Sequence, residues 1–333
     1  MGTIAEGVKQ AIENCLKVRK DENVVIITDK ETFGIGTALK DTVLEITDKI
    51  QFFLMEDFGS RPLDFPEEIG SALKNADVSI YAAQGAEGEL QSFRMAMIKV
   101  IDENPKLRHA HMIGITPEIM EDGMCSDYKE IQRISNLVYE KVKNAKKIRV
   151  VTEKGSDFTG EFNPNLKWVV SDGDIKADNW KNLPDGEVFT APETVNGMII
   201  IDGCLGDFFT EKYGSIENTP VKIEVKDGRA IKESITCDNK ELLDEFVKYL
   251  FEIDENSNRI GEFAIGTNTG LTKLIYNLLQ DEKFPGIHVA FGNPYPTKTG
   301  ANWESKAHVD GVLIKPSIYV DGEQIMNKGT FVL

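Results

Sequence analysis

Between Glu22 and Val151, short runs of consecutive apolar residues recur with helical segments between them, and this alternation constrains the fold more than any other feature of the chain. Val24-Val25-Ile26-Ile27 is followed by an amphipathic segment, Thr37 to Ile46, and then by Ile50-Gln51-Phe52-Phe53-Leu54. Asp77 to Ala82, Ala110 to Ile115 and Lys147 to Val151 read as three more strands, each preceded by helical periodicity. A strand apolar at nearly every position has no face to give to water. Strands of that kind joined by helices imply a parallel sheet covered on both sides. Residues 1–150 are therefore expected to form a doubly wound α/β domain.

Past Val151 the texture changes to Gly, Asp and Asn turns between short strands: Lys154-Gly155-Ser156-Asp157, Ser171-Asp172-Gly173-Asp174 and Lys226-Asp227-Gly228-Arg229. Met198 to Ile201 carries β signal, and Val221-Lys222-Ile223-Glu224-Val225 alternates with period two. Asn239 to Phe251 predicts a helix, with Leu242, Leu243, Phe246, Val247 and Leu250 on one packing stripe. Residues 151–333 are expected to form a second domain, mixed α+β and β-rich.

Several features of the first half have plain readings. Gly34-Ile35-Gly36 follows the first strand, but Leu39 stands where a dinucleotide fingerprint needs its third glycine, so the pair reads as a turn. His109 and His111 would share one strand face and read as strand-end or interface histidines, and Arg94 reads as a surface residue.

Charge narrows the partners. Asp and Glu outnumber Lys and Arg by 55 to 38, a formal charge of -17 that repels nucleic acid and anionic membranes. Cys15, Cys125, Cys204 and Cys237 show neither Cys-x-x-Cys nor a disulfide spacing and read mostly as buried thiols. No signal-peptide pattern and no stretch of membrane-spanning length is present, which sets a cytoplasmic expectation.

Chemistry concentrates near the C-terminus. In a strand, His308 and Asp310 point to one face and can reach one ion, although His-x-Asp alone equally suits a hydrogen-bonded strand pair. His288 lies in Gly286-Ile287-His288-Val289-Ala290-Phe291-Gly292-Asn293-Pro294-Tyr295. Glu262, in Arg259-Ile260-Gly261-Glu262-Phe263-Ala264, sits inside a small and apolar run, and Glu187, in Gly186-Glu187-Val188-Phe189-Thr190-Ala191-Pro192, does the same. A carboxylate is costly to bury there unless it is ion-paired or metal-bound. Exposure would serve equally well.

Taken in order, Glu187-Val188-Phe189-Thr190-Ala191-Pro192, Gly261-Glu262, His288 with Tyr295, and His308 with Asp310 resemble the four motifs of the metalloaminopeptidase family of the aminopeptidase T and aminopeptidase S type. The resemblance implies that Glu187, Glu262, His288, His308 and Asp310 ligate two divalent ions (zinc, cobalt or manganese). Tyr295 ligates as well or stabilises the tetrahedral oxyanion, and Glu187, Glu262 and Tyr295 are its catalytic residues. It further implies hydrolysis of short peptides with a free N-terminus, by a homodimer. The chain departs from the family at Asp281-Glu282-Lys283-Phe284, where members commonly have Asp-Glu-Asn-Ala, and in a shorter interval between Tyr295 and His308.

Two other readings stand beside this one. Ring-cleaving dihydroxypyridine dioxygenases resemble the same peptidase family and use one iron on two histidines and a carboxylate, which leaves Glu187 and Glu262 without a task. A catalytically silent metal-binding protein is the other, although structural zinc sites favour cysteine and this set has none. No Gly-x-Ser-x-Gly elbow marks a competing nucleophile. Trp303, Glu304 and Lys306 read as a solvated loop.

Overall fold

The computed structural model describes residues 2–86 and 88–333, and its chain forms two compact units. One runs to Glu130 and takes in Gly173–Asp185; the other comprises Ile131–Asp172 and Gly186–Leu333.

The first unit is the doubly wound α/β domain that its apolar runs imply. Its five-stranded sheet has the order Ile50–Leu54, Val24–Thr28, Val78–Ala83, Arg108–Ile113, Lys181–Asn182, with every neighbouring pair parallel. All residues of Val24–Thr28 and Val78–Ala83 are buried, as strands covered on both faces must be. Gly34 and Gly36 fall in the first turn of the helix Phe33–Leu44 rather than in a free turn. A Cβ on Gly36 would come within 2.7 Å of the Thr28 side chain, so glycine there lets helix and strand meet closely.

The units do not divide at residue 150. Lys147–Val151 was expected in the parallel sheet, but it pairs antiparallel with Asp157–Glu161 and with Ser317–Val320 in the second unit. The reason lies in its own pattern. Lys147 and Arg149 are exposed while Ile148 and Val150 are buried, the alternation of a strand with one wet face.

The second unit is β-rich and mixed, as anticipated. An eight-stranded sheet and a five-stranded sheet, the latter in the order His308–Leu313, Gly286–Gly292, Ile260–Gly266, Glu187–Thr190, Val169–Ser171, enclose one apolar core. The five-stranded sheet is antiparallel throughout. Phe158 of the first sheet meets Phe263 of the second edge to face, with centroids 6.2 Å apart. The helix Lys240–Glu252 covers this core with Leu242, Phe246 and Leu250, and its Asn239 cap accepts from the Leu242 N–H.

Phe246 is fully buried between Phe209 and Phe291, at centroid distances of 5.7 and 6.3 Å. Phe246→Ala is expected to cost about 3 to 5 kcal/mol by lost transfer energy and the cavity left behind. Urea unfolding of the pure variant checks this, and a loss under about 1 kcal/mol would mean that the helix does not cap the core as described.

Candidate metal centre

Strand alternation assembles the site. Val188, Phe263, Ile265, Ile287, Val289, Phe291, Val309 and Leu313 turn one face of the five-stranded sheet into the apolar core. The intervening residues Glu187, Glu262, His288, His308 and Asp310 therefore project from the other face, on four adjacent strands. Small residues make room between them. Glu262 is registered against Ala290 and Ala290 against Asp310, so a single methyl separates the two carboxylates. His288 lies beside Ala264, and His308 beside Gly292.

The donors are buried: Glu187 is 7% exposed, Glu262 4%, His288 1% and Asp310 5%. Burial of three carboxylates so close together demands compensating positive charge. His288 Nε2 lies 3.5 Å from Glu187 Oε2, 3.9 Å from Glu262 Oε1 and 4.0 Å from Asp310 Oδ1. His308 Nε2 is 3.4 Å from both Glu262 Oε2 and Asp310 Oδ2.

These separations discriminate between an ion-pair network and a metal cage. Charge-assisted hydrogen bonds fall at about 2.7 to 2.9 Å. Donors held at about 2.0 to 2.2 Å by a tetrahedral ion stand about 3.3 to 3.6 Å apart. Three of the five imidazole–carboxylate distances, at 3.4 to 3.5 Å, fall at the second value, and the other two are longer than either. Glu187 Oε2 is moreover buried without a hydrogen-bond partner, as an oxygen kept for an ion would be. Three donor groups fit a cation: Glu187, Glu262 and His288; Glu262, His308 and Asp310; and Glu282, His288 and Asp310. His308 Nδ1 faces the Asn293 carbonyl at 3.2 Å, which leaves Nε2 for the donor cluster.

Charge in the cluster follows from these contacts. Burial works against a cationic His308, but Asp310 and Glu262 outweigh it and hold its pKa up to about 10. For His288, burial is outweighed by Glu262, Glu187 and Asp310, and the value rises to about 9. Burial would raise Asp310, yet the two imidazoles and Lys283 bring it down to about 2.

Two members of the cluster were not singled out as site residues from the sequence. Lys283, 2% exposed, places Nζ 2.7 Å from Glu187 Oε1 and 2.6 Å from Glu282 Oε1. Burial pushes Glu282 up to about 8, against the pull of the Lys283 ammonium. The signal was the departure from Asp-Glu-Asn-Ala, a charged pair immediately ahead of a buried strand. Tyr295 stands at the edge, 36% exposed, with its hydroxyl 3.3 Å from His308 Nε2 and its backbone left-handed at φ 51°.

Residues 119–331, more than half of the chain, match the peptidase family described as thermophilic metalloprotease. The chain belongs to that family. Its fold is also that of solved structures. Wild-type AmpT from Thermus thermophilus aligns with TM-score 0.68 and 17% identity over 99% of each chain. A 2,5-dihydroxypyridine dioxygenase from Pseudomonas putida aligns with TM-score 0.71 and 15% identity, over 99% of this chain and 96% of its own. No curated protein sequence matches. Among the described residues of this metalloprotease, no helix is long and apolar enough to cross a membrane.

The remaining sequence expectations divide. His109 and His111 are neither strand-end nor interface residues. In the first unit they are buried, with Ser79 Oγ 2.7 Å from His109 Nδ1 and the His111 ring stacked on Tyr81. Burial lowers both, His111 to about 3, so they are neutral core groups. Arg94 is only partly exposed and pairs at 3.3 Å with the fully buried Glu89, which Arg61 also binds. A buried acid recruited both guanidiniums, and no periodicity could show that. Cys15 and Cys204 are buried, Cys125 and Cys237 partly so, and none of the four is in a disulfide. Glu304 and Lys306 are exposed, while Trp303 carries the Arg259 guanidinium 4.1 Å from its ring centroid.

Proposed function

We propose that this metalloprotease is an aminopeptidase that removes the N-terminal residue of short peptides, and that Glu262 would be the carboxylate held in common by two divalent ions. The observation that carries this reading is that the two oxygens of one carboxylate face different imidazoles, Oε1 towards His288 and Oε2 towards His308. One ion position then draws on Glu187 and His288, the other on His308 and Asp310. Mixed oxygen and nitrogen donors suit zinc, cobalt or manganese. Two such ions, when bound, lower the pKa of a shared water towards neutrality and polarise the scissile carbonyl.

The protein groups supply the rest. The carboxylates make the face favourable for the peptide's amino terminus, and their burial strengthens that field. Tyr295, at the rim with its hydroxyl 3.3 Å from His308 Nε2, would donate its hydroxyl proton to the oxyanion or ligate. By the family reading the enzyme acts as a homodimer in the cytoplasm.

The test compares leucyl peptides with free and acetylated N-termini, after chelation and after zinc or cobalt is restored. Free peptides should turn over only with metal, and acetylated ones roughly a hundredfold slower or not at all, since the amine's charge partners are lost. Equal rates on both would exclude an aminopeptidase. A second reading, a one-iron ring-cleaving dioxygenase, would draw on His288, His308 and Asp310, whose two carboxylate oxygens each face a different imidazole. Oxygen uptake on a dihydroxypyridine with one iron per chain would support it.

A further inference from the structure

We infer that Lys283 is a built-in counter-cation that makes the two ion positions unequal, so that the position using Glu187 and His288 fills last and weakly. The inference rests on the metal-centre reading above. Its first support is a contrast of distances. Lys283 Nζ touches Glu187 Oε1 at 2.7 Å and Glu282 Oε1 at 2.6 Å, ordinary lengths for a charge-assisted contact, whereas the imidazoles stand 3.4 to 4.0 Å from their carboxylates. Glu187 therefore has one oxygen committed to an ammonium and offers an ion only Oε2. Glu262 has both oxygens turned to imidazoles.

The second support is that the lysine is held in place. Its N–H donates to the Gln280 carbonyl at 2.9 Å and its own carbonyl accepts from the Asn268 N–H at 3.0 Å. Preceding it, Asp281 is buried and accepts from the Ile275 and Tyr276 N–H groups and from the Cys204 thiol. With its side chain 2% exposed, Lys283 has no route into water that leaves this loop intact.

The consequence is electrostatic. An ion bound through Glu187 lies one carboxylate away from a fixed ammonium in a poorly screened interior, and like charges so placed repel strongly. The position made by Glu262, His308 and Asp310 draws on neither Glu187 nor Glu282. Lys283 thus acts as a positioning and affinity-setting residue for the second ion. It holds Glu187 in the geometry of the loaded site and opposes full loading.

The test is zinc titration of chelator-stripped protein at fixed pH, read by competition with a chromophoric chelator. Wild type should bind in two steps, the second roughly a hundredfold weaker or more. Lys283→Met should tighten the second step roughly tenfold or more and leave the first within about threefold. Lys283→Gln, checked by circular dichroism, serves if the Met variant does not fold. Two equal steps in wild type would overturn the inference whatever the variants do. So would a first step followed by a second, present or absent, that is the same in wild type and variant. If wild type and variant bind no zinc at all, the metal-centre reading fails instead.

Discussion

Replacing Glu262 with Gln is expected to lower peptide turnover about a thousandfold, roughly 4 kcal/mol of transition-state stabilisation. The amide matches the carboxylate in size, so the strand and its register with Ala290 persist. What changes is charge and donor capacity: an amide offers one neutral oxygen where the carboxylate faces two imidazoles. On the proposed two-ion reading, both positions would lose a ligand at once. Asp310→Asn should act in the same direction but mainly on the His308 position. His109→Ala belongs beside them as a control, because its ring lies in the core of the first unit. The measurement is steady-state turnover together with metal content. A Glu262→Gln variant that keeps near wild-type turnover and metal content would remove Glu262 from the centre.

The second large effect is in how metal affinity depends on pH. In the metal-free protein the neighbouring carboxylates hold His308 up to about 10 and His288 up to about 9, so both imidazoles carry a proton at pH 7. A metal needs the lone pair that this proton occupies. Loading therefore releases one proton for each imidazole engaged, and affinity rises with pH. The sign follows from the direction of the shifts: below the raised pKa, every unit of pH gained removes a tenfold excess of competing proton. Between pH 6 and 8, each step is expected to tighten about tenfold per unit. Above about 9 to 10 the dependence should level off. Zinc or cobalt affinity at three pH values, with the enthalpy compared in buffers of different ionisation heat, reads both the slope and the protons released. A flat profile would show that the imidazoles are not ligands.

Much of this was open to reading from residues alone, because local patterns decide local structure. The apolar run Val24-Val25-Ile26-Ile27 reads as a covered strand, and the stripe from Leu242 to Leu250 as one face of a helix. Glu187, Glu262, His288, His308 and Asp310 are picked out by the resemblance of four ordered motifs to the aminopeptidase family, since each residue taken alone also suits a surface or a strand pair. Strand alternation then requires all five to lie on one face once those strands are neighbours.

That they are neighbours was decided by tertiary pairing. Register sets Ala290 between Glu262 and Asp310, and the order of the sheet brings Glu187 across to His288. Ser317–Val320, a partner of Lys147–Val151, likewise comes from far along the chain, although that strand's own alternation is what unfits it for a sheet covered on both faces. Lys283 is the clearest case. Lysine ahead of Phe-Pro-Gly reads as solvated, because a buried ammonium is costly on any local reckoning. Only the folded chain supplies the Glu187 and Glu282 carboxylates that repay the desolvation, and Glu187 comes from a strand nearly a hundred residues earlier, |i−j| = 96.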